Sequence, residues 1–211
     1  LGVAPGYNTA ELYDHNDHSY TPTGSMVYAR MNSAAATLVN GKALIVGGWY
    51  NENSVTYGEI YDPASGEFIS TGALNTPRAI PVVLPTADGG AMVIGGTGIY
   101  GGEITERIEY YDSVSNTFSV LKEYLFSEED AGWKPRLFNS YSRLMETQKL
   151  DDNNYLLIAD NSSSGNPIYI TLFTVNTENK TITKINTVTE MPNSDTYSIL
   201  TPIVDIEKKV V

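Results

Sequence analysis

The chain has 211 residues, 41% hydrophobic and 18% charged, with a formal net charge of −12 and no cysteine. That size suffices for a sizeable core, and no apolar run approaches the ~20 residues of a membrane-spanning helix. The charge argues against nucleic acid and anionic membrane surfaces as partners, and the missing thiols exclude disulfides and thiolate metal sites.

The opening LGVAPG lacks the basic and apolar regions of a signal peptide, and Leu1-Gly2 stands where later segments have Gly-Gly. Residues 10–14 and 19–23 alternate apolar and polar about Asp14-His15-Asn16-Asp17-His18 and predict two short strands joined by a turn. Residues 33–39 and 42–48 are apolar runs meeting at Asn40-Gly41. That pair favours a two-residue hairpin with positive φ at both positions, and the unbroken apolar runs predict burial on both faces. Residues 58–62 and 67–71 form an outer pair about a turn holding Pro63 and Gly66.

The plan then repeats. Strands are predicted at 79–86 and 90–96 about Asp88-Gly89-Gly90, and at 107–112 and 117–121 about a Ser-Val-Ser-Asn turn. A last full unit has strands near 142–149, 155–160, 168–175 and 181–186, with Asp151-Asp152-Asn153-Asn154 as its hairpin turn. Residues 196–206 and 208–211 begin another unit.

Shifting the chain by 48 positions lays Glu11, Tyr13, Asp14 and Arg30 on Glu59, Tyr61, Asp62 and Arg78, and Gly47-Gly48 on Gly95-Gly96. Later the shift becomes 64, with Tyr111, Thr117 and Phe118 on Val175, Thr181 and Ile182, which places an insertion at 122–136. Units of this length cannot each bury their own inner strands, so they stack as blades around an axis.

The run LIVGG, a variable loop, EIYDPASGEF and then TGALNTPR resembles the kelch repeat: Gly-Gly ending a strand, Tyr before a turn, an aromatic after it, and Arg ahead of the next inner strand. The units around 10–48 and 58–96 match well. The third lacks a clear Arg position, and the fourth has Ala159-Asp160 for Gly-Gly and Val175-Asn176 for Tyr-Asp. The resemblance, to bacterial repeats of the galactose-oxidase central-domain type, implies an all-β kelch-type propeller. It has about four blades of four antiparallel strands, as a single domain over 1–211. Its first and last blades are incomplete in sequence; they are either closed by pairing of the two termini or belong to a larger propeller.

Strand direction sorts the loops onto two faces. One carries the short turns at Asn40, Asp88 and Asp151 with those at His15, Pro63, Ser113 and Thr177. The other carries 48–58, 97–107, 122–136 and 160–168, rich in aromatics and adjacent to the arginines. Longer loops on a rigid scaffold predict a recognition face. The candidate ligand-binding residues there are Arg30, Trp49, Tyr50, Tyr57, Arg78, Tyr100 and Trp133. Each has a structural alternative: the arginines bracing neighbouring loops, the aromatics packing one loop on the next.

His15 and His18 with Asp14 and Asp17 have the composition of a metal site, but Asp14 holds the repeat's turn position, and no native metal and no cofactor are expected. A copper radical oxidase would need a cross-linked cysteine, and no nucleophilic triad, phosphate loop or HExxH occurs. The expectation is a non-catalytic interaction propeller binding a protein or carbohydrate ligand. The alternative is a sugar isomerase or mutarotase similar to the kelch-type sialic acid epimerases, drawing on Glu103, Glu106 and Glu109 with Arg30, Arg78 and Arg107. The style of the repeats suggests a secreted, periplasmic or bacterial cell-surface protein.

Overall fold

The structure, a computed structural model, describes residues 7–51, 53–98, 107–122, 145–161 and 168–191. All regular structure among them is β-strand. β1 (Glu11–Tyr13) pairs with β2 (Tyr20–Pro22). β3 (Ala34–Thr37), β4 (Ala43–Val46), β7 (Tyr57–Asp62) and β8 (Glu67–Ala73) make the first four-stranded antiparallel sheet. β9 (Val82–Pro85), β10 (Ala91–Ile94), β11 (Ile108–Asp112) and β12 (Thr117–Lys122) make the second. β13 (Met145–Lys149), β14 (Asn154–Asn161), β15 (Ile168–Asn176) and β16 (Thr181–Met191) make the third. The strands predicted at 196–206 and 208–211, and most of the insertion at 122–136, lie outside the described residues.

Three expectations change. The Asn40-Gly41 turn is a three-residue loop: Leu38 N donates to Lys42 O at 2.8 Å and Gly41 N to Leu38 O at 2.9 Å, and Gly41 alone of the pair has positive φ, 79°. Asn40 Oδ1 instead accepts from Lys42 N at 3.0 Å, an Asx turn that leaves Asn40 out of the left-handed region. The loop 48–58, expected to be irregular, contains a small hairpin, β5 (Trp49–Tyr50) with β6 (Asn53–Ser54).

The third change concerns burial. β3 exposes Ala35 and Thr37, whereas all of β10 is buried. The reason is position: the second sheet lies between two others, and the two-residue period of β10 sends its side chains alternately to each. Ala91 and Val93 join Leu44, Val46 and Leu74 of the first sheet, while Met92 and Ile94 join Leu157, Phe173 and Val175 of the third. The first sheet has only the two-stranded β1–β2 beyond it among the described residues.

The short turns gather on one face, as predicted. Lys42 Nζ reaches Asp62 Oδ2 at 2.8 Å within the first sheet. Between the second and third sheets, Lys180 Nζ is 2.6 Å from Asp88 Oδ2 and 3.9 Å from the centre of the Tyr110 ring. His18, Gly66, Asn116 and Lys180 hold corresponding turn positions, all with positive φ, which ties His18 to turn geometry. At the opposite end Gly47-Gly48 lets the next crossover approach: Gly48 N donates to Arg78 O at 2.9 Å, and a Cβ on Gly47 would lie 2.4 Å from that same oxygen.

Gly47→Ala combines a backbone clash with a left-handed φ and should destabilise the fold by about 3 kcal/mol. Gly41→Ala, where a Cβ meets open space, should cost about 1 kcal/mol from strain alone. Urea unfolding of both variants checks the order.

Asp88 gives a pH test. Burial acts to raise its pKa, but hydrogen bonds from Lys180, Thr86, Tyr110 and the Gly90 amide outweigh it and hold the carboxyl well below the usual range. A depressed carboxyl contributes stability above its unfolded pKa, about 3.9, and loses it as the pH falls towards the folded value. Asp88→Asn should therefore be less stable than the parent by about 1 kcal/mol or less at pH 7, with the gap closing between pH 4 and pH 2 in chemical unfolding.

Candidate functional site

The crossover into each of the first two sheets is anchored by a buried carboxylate. Glu59 on β7 accepts from Val27 N at 2.6 Å and Tyr28 N at 3.0 Å, and from Arg30 Nη2 at 2.6 Å. Arg30 Nη1 donates to the carbonyls of Gly47 and Tyr57, at 3.0 and 3.1 Å. The second sheet repeats these bonds and adds one, since Arg78 Nε is bonded where Arg30 Nε is buried without a partner among the described residues. Glu109 on β11 accepts from Asn75 N, Thr76 N and Arg78 Nη2. Arg78 Nη1 donates to Gly95 O and Arg107 O, and Arg78 Nε to Thr76 O.

Both ion pairs have side chains 0% exposed. Burial pushes both guanidiniums below the ordinary arginine value, and their glutamates pull them back up. In the third sheet the register places Phe173, 1% exposed, where Glu59 and Glu109 stand, and it packs in the core.

Over the first brace lies a cleft of about 580 Å³. Its floor is the crossover with Tyr28. One wall is Tyr7-Asn8, held antiparallel by Arg30 N→Tyr7 O at 3.1 Å and Met26 N→Asn8 O at 2.7 Å. The other runs from Tyr50 and Asn53 of the β5–β6 hairpin to Tyr57. The rings of Tyr28 and Tyr57 stack at 5.3 Å and 11°. Tyr7, Tyr50 and Tyr57 remain 70%, 41% and 42% exposed, and none of the described residues lining the cleft is charged.

Of the residues expected to bind ligand, Tyr50 and Tyr57 line this cleft. Trp49 is half-buried beside it, with its backbone bonded in both directions to Met31. Arg30 and Arg78 are buried in the braces, and Tyr100 and Trp133 lie outside the described residues. Of the carboxylates named for the isomerase alternative, Glu109 is in the second brace, and Glu103 and Glu106 lie outside the described residues. Arg107 Nη1 donates to Thr76 Oγ1 at 2.7 Å. In the DHNDH segment, the Asp14 and Asp17 carboxylates accept from the amides of Asn16 and Ser19.

Tyr7 and Tyr28 were not predicted. The signal for Tyr28 was its place two residues before the repeat's Arg; Tyr7 precedes the first recognisable strand and had none.

The four-stranded sheets, the first two with Gly-Gly and Arg at fixed positions, have a kelch-type β-propeller architecture. Residues 30–71 match the family model for the Kelch motif, which supports a kelch-repeat family and suggests a protein-interaction propeller. No curated protein matches the chain.

The braces predict a non-additive pair of substitutions. Arg78→Met alone leaves Glu109 buried without its counter-charge and should cost about 3–5 kcal/mol. Adding Glu109→Phe, the residue type the third sheet uses, removes the stranded charge but also the acceptor of the Asn75 and Thr76 amides, so it should restore only part of the loss; guanidinium unfolding of the two variants measures it.

Proposed function

We propose that this chain is a non-catalytic binding propeller that presents protein or glycan contacts on its long-loop face, with the tyrosine cleft as the contact surface. The observation that carries this reading is the difference between two otherwise matching braces. The positions of Tyr28 and Tyr57 in the first sheet correspond to Thr76 and Arg107 in the second, where the same backbone hydrogen bonds are made. The scaffold therefore requires no aromatic pair there. Exposed tyrosines add contact area at small cost in side-chain entropy and keep a polar tip, which suits a recognition surface.

Tyr50→Ala with Tyr57→Ala should weaken a ligand found on peptide and glycan arrays by about 10- to 100-fold, as truncation of central aromatic contacts does, with little change in melting temperature. An unaltered affinity in a folded double variant would remove the cleft from consideration.

A further inference from the structure

We propose that the tyrosine cleft takes an extended, proline-rich peptide segment with basic flanking residues. This rests on the cleft being the contact surface and names the class of ligand it fits.

The lining chemistry is narrow. It has tyrosine rings and hydroxyls, with no charged side chain among the described residues. Its two amide side chains already donate within the protein, Asn8 Nδ2 to Met26 O at 3.2 Å and Asn53 Nδ2 to Asn51 O at 2.8 Å. A saccharide presents many hydroxyls that need directed polar partners, and a cleft with no carboxylate among the described lining residues and with each amide side chain already tied to a backbone carbonyl orients them poorly. An acidic peptide would meet neither arginine nor lysine among the described residues lining the cleft, on a chain whose net charge is −12.

A polyproline II segment asks for what remains. Proline has no N–H to satisfy, its ring lies flat on aromatic faces, and the outward carbonyls accept from tyrosine hydroxyls. The stacked Tyr28–Tyr57 pair and the separate rings of Tyr7 and Tyr50 provide successive aromatic surfaces of the kind that proline-rich ligands dock against. The volume falls within the range of about 300–1,000 Å³ typical of ligand pockets. Basic flanks would be drawn by the protein's negative field, most strongly at low salt.

The test is fluorescence anisotropy on the whole chain with a labelled Arg-Pro-Leu-Pro-Pro-Leu-Pro-Arg peptide. Three competitors are run beside it: the same peptide with every proline replaced by alanine, a version with Glu flanks, and a neutral maltohexaose. Saturable binding is expected, weakened at least 10-fold by the proline-to-alanine change and severalfold by Glu flanks, the latter gap narrowing at high salt. Tyr57→Ala should weaken binding at least 10-fold; Tyr57→Phe, which keeps the ring, should lose only a few-fold, and a melt confirms that both variants are folded.

Binding that ignores the prolines, or that survives Tyr57→Ala in a folded protein, overturns the proposal. Tyr57-dependent binding of maltohexaose or the Glu-flanked peptide in preference to the proline-rich one also overturns the ligand class, while leaving the cleft as the contact surface. If no array ligand depends on Tyr50 and Tyr57, the contact-surface reading fails as well.

Discussion

The buried arginine–glutamate pair at the crossovers into the first two sheets is the constraint on which the rest of this fold depends. Neither charge is exposed, so each pair bears a large desolvation cost, and such a pair persists only when its geometry is good and its remaining hydrogen-bonding groups are satisfied. Glu59 and Glu109 accept two backbone amides each as well as the guanidinium, and Arg78 places its Nε on Thr76 O, so that of the two pairs only Arg30 Nε is left buried without a partner among the described residues. Those amides belong to the segment arriving from the previous sheet, and the arginine's carbonyl partners belong to the sheet being entered. One ion pair thus joins two blades and sets where the inner strand begins. The third sheet shows that an apolar solution is open to the same fold, because Phe173 fills the carboxylate's register and packs with Leu157 and Val175. The braces therefore act chiefly to fix the path of the crossover and need not be the largest source of stability.

A second constraint is the alternation of β10. Four consecutive buried residues cannot face a single core on a strand of period two, so an all-apolar strand requires a neighbour on each side. The pairing of Ala91 and Val93 with one sheet and Met92 and Ile94 with the other is that requirement met. β3 has the same apolar character but half its residues exposed, so strand composition reports the capacity for burial and the neighbours decide its extent. The Lys180–Asp88 contact adds a polar link at the turn end, on the side away from the braces.

Much of the architecture was legible because the repeat carries it. The Gly-Gly pairs, the turn aspartates and the apolar inner strands recur at or close to a spacing of 48 through the first units, and a recurring residue is explained by geometry that recurs. What could not be read was what depends on long-range pairing. The Asn40-Gly41 pair suits a two-residue turn, yet closure at Leu38 and Lys42 adds Val39 to the loop and turns Asn40's side chain to the Lys42 amide. The β5–β6 hairpin has no apolar alternation to announce it. The role of Glu59 as the arginine's partner was hinted at by the alignment of Glu11 with Glu59, but a carboxylate in an otherwise apolar strand gives no indication of which backbone amides will reach it. Tyr7 comes to the cleft only through the backbone bond between its carbonyl and Arg30 N.

Scaffold and surface meet in the same hydrogen bonds. Glu59 holds the amide of Tyr28, and Arg30 holds the carbonyl of Tyr57, so the buried pair places the backbones of both stacked rings. In the second sheet the same two anchors hold Thr76 and Arg107, whose side chains bond to each other. An anchor repeated beneath a variable side chain lets these two blades carry different surfaces on the same support. A functional residue in such an array is found by asking which positions differ while their backbone partners stay the same, and by that criterion Tyr28 and Tyr57 stand apart from the arginines beneath them.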